Sequence, residues 1–103
     1  MSTQSEIYFN YNQATRQANE LDSIAQQLTK VSGNQLQSTL NSLSNAWKSD
    51  SATAYLRKGQ KVQGDINTTA KNLRNIASTI RRIAKIVRDA ELEAWRIANE
   101  RKK

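Results

Sequence analysis

The chain of 103 residues has no cysteine, no histidine and no proline, and only three glycines. The missing cysteines exclude disulfides and thiol chemistry. The missing histidines exclude the commonest metal ligand and the usual proton carrier at neutral pH. No Gly-rich phosphate loop is present, and the nine carboxylates show no spacing that would pair two of them in one pocket. The sequence therefore predicts no catalytic site, no metal, no cofactor and no small-molecule substrate, so we expect a protein that is not an enzyme.

Long hydrophobic runs are also missing. No segment approaches the roughly 18 apolar residues that a membrane span requires. The polar start, MSTQSEIYFNYNQ, lacks the apolar core of a signal peptide. If the protein leaves the cell, we expect it to use a route that does not read a cleavable leader.

The residues that are present favour helices, because the chain is rich in Ala, Leu, Gln, Asn, Lys and Arg. From Ile7 apolar residues recur every three or four positions, slip by one residue across KVSGN, and resume up to Trp47. Local over- or underwinding accommodates such a slip, so we expect one helix with a kink or loosened turn near Gly33. In the second helix the apolar positions follow one another in strictly alternating steps of four and three residues. Ser49 or Ser51 is predicted to cap its N-terminus.

These patterns predict an all-α fold in one domain, 1–103, with two long antiparallel helices at about 5–45 and 51–100. Alanines at spacings of seven or fourteen (Ala70, Ala77, Ala84, Ala98) run beside the apolar seam and allow a neighbouring helix to approach closely. Contact between only two helices leaves part of each wide apolar face exposed to solvent, so we expect dimerisation into a four-helix bundle. The predicted hairpin and dimer seam consists of Tyr11, Leu21, Leu28, Leu36, Leu40, Leu43, Val62, Ile66, Leu73, Ile76, Ile80, Ile83 and Val87.

A Trp stands beside the only predicted turn, in the tripeptide Trp47-Lys48-Ser49. In the simplest interpretation, its indole caps the open end of the hairpin. However, two long helices with a Trp-x-small turn near the midpoint of about a hundred residues also resemble the WXG superfamily. These are early-secretory-antigen-like hairpins exported by type VII secretion systems of Gram-positive bacteria. Ser49 stands where the family has Gly, so the tripeptide is a W-x-S variant, and the resemblance spans nearly the whole chain.

The resemblance implies a protein made in the cytoplasm and secreted without a leader, in virulence or interbacterial competition. It would form a homodimer, or a heterodimer with another WXG- or LXG-type protein such as a toxin's helical region, and it would meet the type VII secretion ATPase. In the family, an acidic motif late in the second helix lies near the partner's turn and forms a composite export signal. No Tyr-x-x-x-Asp/Glu occurs here, and the looser match is Val87, Glu91, Ala94 and Ala98.

The net charge is +7, and most of the positive charge follows Trp47. Basic residues on the predicted outer face of the second helix form a ridge that could contact nucleic acid, anionic lipid or an acidic partner, or could simply be solvated. A basic helical nucleic-acid-binding protein is therefore the alternative function, and a membrane-surface role is the third. No aromatic residue interleaves with the ridge, so bases have no stacking platform. The ridge consists of Lys71, Arg74, Arg81, Lys85 and Arg88, with Arg82 beside it.

Two large apolar residues, Leu92 and Trp95, lie off the seam near the end of the second helix. If the register holds, both are exposed and mark a docking spot. Alternatively, they cover the first helix of a partner.

Overall fold

The structure is a computed structural model, and it describes residues 3–101. It contains α1 (Gln4–Lys30), a π-helical turn (Val31–Leu36), α2 (Gln37–Ala46) and α3 (Asp50–Arg101). Residues 3–101 contain no strand, and the fold is the predicted all-α helical hairpin. None of the helices in this range is long and apolar enough to cross a bilayer.

The π-helical turn lies where the apolar pattern slips by one residue. Lys30 and Gln37, on either side of it, keep right-handed helical backbone angles, so α1 and α2 form one continuous helical arm. A π turn bonds i to i+5 and so accommodates one additional residue. The prediction of one helix with a loosened turn at Gly33 is confirmed, and underwinding is the form that it takes.

The corner between the two arms is short. Trp47 ends α2 in an extended conformation (φ −128°, ψ 106°), and its N–H donates to the Leu43 carbonyl over 2.9 Å. The Ser49 hydroxyl then accepts a hydrogen bond of 3.2 Å from the Ala52 N–H, so Ser49, and not Ser51, caps α3. No residue within 3–101 has a positive φ, so a serine occupies the family's glycine position without backbone strain.

The chain divides into two compact units, and each shows antiparallel pairing of its helices. The turn unit is Asp22–Arg74. Within it, the Ser32 hydroxyl donates to Asn67 Oδ1 over 2.8 Å, and Arg74 donates to Thr29 Oγ1 over 2.9 Å. From the first pair to the second, the residue number decreases on the first arm and increases on α3. The two segments therefore run in opposite directions.

The terminal unit is Met1–Leu21 with Asn75–Lys103. Within it, Arg81 donates to Asn19 Oδ1 over 2.7 Å, and the Arg88 guanidinium lies 4.4 Å from the centre of the Tyr11 ring. These pairs again descend along α1 as they ascend along α3, so this unit is also an antiparallel helix pair.

Small residues occupy the closest contacts of both units. Most of the fully buried positions carry a small side chain: Ala18, Ala25, Ser32, Ala52, Ala70 and Ala77, joined by the larger Ile7 and Leu40. Of the four alanines expected beside the seam, Ala70 and Ala77 therefore lie at its centre, whereas Ala84 and Ala98 are half-buried. Because small side chains let helices approach closely, the larger neighbours are displaced toward the rim of the contact.

This arrangement divides the predicted seam on α3 into two lines. Ile66, Leu73 and Ile80 are half-buried against the first arm. Four seam residues of α3 are exposed instead, at 46–50% of their surface: Val62, Ile76, Ile83 and Val87. On the first arm, Leu40 is buried, and the other predicted members are half-buried: Tyr11, Leu21, Leu28, Leu36 and Leu43.

Candidate functional site

An apolar groove opens between α1 and α3 in the terminal unit, with a volume of about 300 Å³. We call it the terminal groove. Ile80, Ile83 and Val87 line it from α3, and two of them, Ile83 and Val87, are about half exposed. A row of aliphatic side chains open to water is stabilised when another apolar surface covers it. The complete lining is Ile7, Asn10, Tyr11, Ala14, Ile80, Ile83, Ala84, Val87, Arg88 and Glu91.

The rim of the terminal groove is polar and held in place. The Arg88 guanidinium stacks over Tyr11 and also pairs with Asp89, with 3.0 Å between the nearest nitrogen and oxygen. The hydrogen bond to Asp89 is the main reason that the pKa of Arg88 lies above its ordinary value. Glu91, half-buried, completes this rim. An aliphatic floor with one fixed cation and one carboxylate at its rim has the chemistry of a groove that can take the apolar face of a helix.

The sequence pattern missed three residues of the terminal groove, Ile7, Asn10 and Ala14. Ile7 was used only as the start of the helical periodicity, yet it is 2% exposed and forms part of the groove wall. Its position seven residues before Ala14, which also lines the groove, was the available signal.

At the corner, Trp47 is not sealed inside the hairpin. It is 40% exposed, and its ring lies 5.6 Å from that of Tyr55, which is 58% exposed. Lys58 Nζ lies 5.9 Å from the centre of the Tyr55 ring. Lys48 and Ser49 line a shallow depression beside Trp47. The predicted turn motif is thus an accessible aromatic surface with a cation next to it.

The candidate export motif lies partly on the surface of the terminal unit. Val87 and Ala94 are exposed, whereas Glu91 and Ala98 are half-buried. Val87 and Glu91 also line the terminal groove. Leu92 and Trp95 are both half-buried, so the predicted exposure of these two residues is wrong. At about 100° per residue, Trp95 lies at the same angle on α3 as the buried Ala77, and Leu92 lies about 60° from it.

The basic ridge does not lie on the outer face of α3 as predicted. Its arginines, at spacings of seven, reach the first arm: Arg74 contacts Thr29, Arg81 contacts Asn19, and Arg88 contacts Tyr11. The long aliphatic stems of such side chains cover the edge of a helix contact while their heads bind polar groups. Lys71 and Lys85, together with Arg82, remain exposed.

A polar cluster lies beside the π-helical turn and was not predicted. Ser32 is fully buried, and its hydroxyl bonds Asn67. Gln63 donates from Nε2 to the Ser32 carbonyl and to Gln37 Oε1, each over 2.8 Å. The sequence did carry a signal for this cluster. On each arm small residues recur every seven positions, and a polar residue continues each series: Ser32 lies seven residues after Ala25, and Gln63 lies seven residues before Ala70.

Among residues 3–101, no group of His, Cys, Asp or Glu is placed to hold a metal ion. A family model described as "WXG100: Proteins of 100 residues with WXG" matches residues 6–92. The comparison with curated proteins and the comparison with solved structures gave no match.

Proposed function

The chain belongs to the family of proteins of 100 residues with WXG, and on that basis we propose that it acts by association with another helical protein during type VII export. Members of this family are small helical proteins associated with type VII secretion. In our proposal this chain is itself secreted without a cleavable leader, and its task is binding rather than catalysis.

The terminal groove is the observation that carries this proposal. Its lining is largely aliphatic, and Ile83 and Val87 expose about half of their surface there. Covering a large apolar side chain gains about 1.5–3 kcal/mol relative to leaving it exposed. A helix laid along the groove supplies this cover, with the side chains of Arg88 and Glu91 available to fix its register.

We propose that the partner is a helical hairpin of the same type, which closes a four-helix bundle with this chain. It is either a second copy or a WXG- or LXG-type protein, such as the helical region of a larger secreted toxin. An acidic partner would be favoured because two chains of charge +7 repel each other, although salt weakens this repulsion.

The export machinery is proposed to recognise two surfaces of the assembled pair. One is the corner at Trp47-Lys48-Ser49, where the indole is 40% exposed. The other is the segment with Val87, Glu91, Ala94 and Ala98. The type VII ATPase would read these surfaces only when the partner has covered the terminal groove.

Replacing Ile80 by Asp tests the proposal in a secreting host. Ile80 lines the terminal groove, and a carboxylate there opposes burial under a partner. We expect the Ile80→Asp chain to stay in the cells. The matched control is Ser78→Asp, which adds the same charge two residues away at an exposed position. Equal export of both variants, each with wild-type helicity by circular dichroism, would contradict the proposal.

A further inference from the structure

The paired segments in the middle of the terminal unit contain no acidic residue. Segments 7–19 of α1 and 75–88 of α3 have no Asp or Glu, whereas they contain four arginines and one lysine. Glu6, Glu20 and Asp89 lie just outside them. A surface with charge of one sign raises the local concentration of ligands of the opposite sign. The terminal unit therefore carries a concentrated positive charge in addition to its apolar groove.

The cations of α3 lie on the side away from the open apolar row. At about 100° per residue, Arg81, Lys85 and Arg82 lie about 40°, 80° and 140° around α3 from the buried Ala77. The isoleucines and the valine that α3 contributes to the terminal groove lie about 60–120° from Ala77 in the opposite sense. Arg82 and Lys85 are exposed, and neither side chain forms a hydrogen bond or ion pair with any residue of 3–101.

Asparagines of α1 lie beside these cations. Arg81 Nη2 donates to Asn19 Oδ1 over 2.7 Å, which holds the guanidinium against α1 and leaves Asn19 Nδ2 able to donate to a ligand. Asn12 precedes Asn19 by seven residues, or about two turns, so it lies on the same side of α1, and it is exposed. We call Asn12, Asn19, Arg81, Arg82 and Lys85 the polar flank. None of the five lines the terminal groove.

The composition of the polar flank matches a phosphate backbone. Guanidinium, ammonium and amide N–H groups are donors that proteins use for phosphate oxygens. A membrane surface is bound by a helix that inserts apolar side chains beside its cations, and a protein helix is bound through an apolar core of the contact. The polar flank has no apolar side chain, and it has no aromatic ring on which the bases of a single strand could stack. A duplex needs neither, because the release of its counterions supplies the affinity.

We propose that the polar flank binds the phosphate backbone of duplex DNA without reading its sequence. The seven residue steps from Asn12 to Asn19 span about 10 Å of α1. Over that length one strand carries about three phosphates, since its charges are about 3.4 Å apart along the axis. The three cations meet one phosphate each, and the two asparagine amides donate to phosphate oxygens beside them. This activity is additional to association through the terminal groove and does not depend on it.

Fluorescence anisotropy of a labelled duplex of mixed sequence, titrated with the full-length chain, tests the proposal. Three phosphate contacts predict that log K falls against log salt with a slope of about −2.7, so the affinity drops roughly fortyfold between about 50 and 200 mM salt. A duplex of unrelated sequence should bind equally well. No binding at about 50 mM salt, or tighter binding of a separated strand than of the duplex, would overturn the proposal.

Two double variants with the same net charge locate the contact. Arg82→Gln with Lys85→Gln removes two phosphate contacts, so we expect roughly a tenfold or greater loss of affinity and a slope smaller by about two. The control is Arg57→Gln with Lys61→Gln, which removes two exposed cations from another part of α3. It should keep the slope, because counterions are released only where cations meet phosphates. Equal losses from the two variants, each with wild-type helicity by circular dichroism, would mean that net charge alone attracts the DNA and would reject the polar flank.

The amides are tested separately because they carry no charge. Asn12→Ala should weaken binding several-fold at every salt concentration and leave the slope unchanged. The control is Gln13→Ala, which removes an exposed amide about 100° further around α1. Equal affinities of the two variants would contradict the assignment of α1 to the contact.

Vesicles that contain phosphatidylglycerol distinguish DNA from a lipid surface. They should bind the chain more weakly than duplex DNA does at the same salt concentration, because the polar flank inserts no apolar side chain. Tighter binding of the vesicles, lost in the variant with Arg82→Gln and Lys85→Gln, would identify anionic lipid as the occupant and reject DNA.

Discussion

The side-chain amide of Gln63 donates a hydrogen bond of 2.8 Å to the backbone carbonyl of Ser32. That carbonyl lies in the π-helical turn, where the change of winding interrupts the ordinary i to i+4 bonding. The Ser32 hydroxyl bonds Asn67 in turn. α3 therefore contacts the irregular turn of the first arm directly, and this contact fixes which residues of the two arms face each other in the turn unit.

Replacing Gln63 by Leu should lower the free energy of unfolding by about 1–2 kcal/mol, because a part-buried carbonyl loses its donor. Gln60→Leu is the control, since Gln60 is an exposed glutamine on the same helix. Urea denaturation followed by circular dichroism measures both. Equal stabilities would show that the cluster does not contribute to the fold.

Replacing Ser49 by Ala should cost about 1 kcal/mol of stability, because the Ala52 N–H loses its cap. Ser49→Gly restores the family tripeptide and should cost only a few tenths of that, since glycine is a tolerated cap. Ser51→Ala, one helical step inside α3, should change little. Thermal unfolding ranks the stabilities of the three variants. A larger loss of stability from Ser51→Ala than from Ser49→Ala would show that Ser49 is not the cap.

Two glycines of α3 should respond to alanine in opposite ways. A Cβ on Gly64 meets no atom within 4 Å, so Gly64→Ala should add up to about 1 kcal/mol through helix propensity. A Cβ on Gly59 would collide with the side chain of Leu40, which is only 8% exposed. The displacement of Leu40 should cancel or exceed the same propensity gain. Equal stabilisation by both variants in urea denaturation would mean that the Leu40 side chain can move away from position 59 at no cost in stability.

Replacing Trp47 by Ala should reduce export while leaving the helices formed, because the indole is a partly exposed group at the corner and is not part of the buried core. Comparison of the culture medium with the cell pellet measures the effect. The control is Tyr55→Ala, which removes the neighbouring ring but keeps the W-x-S tripeptide. This variant should be exported more efficiently than Trp47→Ala. Normal export of Trp47→Ala would remove the corner from the proposed signal.

The sequence was sufficient to predict the helix boundaries and the loosened turn, and to limit the cap of α3 to Ser49 or Ser51, because these depend on local spacing and backbone bonding. It failed where the orientation of the helices about their axes decides the outcome. Ala70 and Ala77 lie at the centre of the contact, and this places Ile83 and Val87 at the surface. The same rotation turns Arg81 toward the first arm, where it bonds Asn19. Spacing alone does not reveal whether small or large residues face the other arm.

The solution mass of the chain with and without Ile80→Asp tests the central claim most directly, namely that another helical protein covers the terminal groove. The measurement uses light scattering on a size-exclusion column, both for the chain alone and for the chain purified with its native partner. The account predicts a mass of at least two chains in one of these preparations and of a single, fully helical chain once Ile80→Asp is introduced. A single-chain mass in both preparations, or a complex that Ile80→Asp leaves intact, would contradict it.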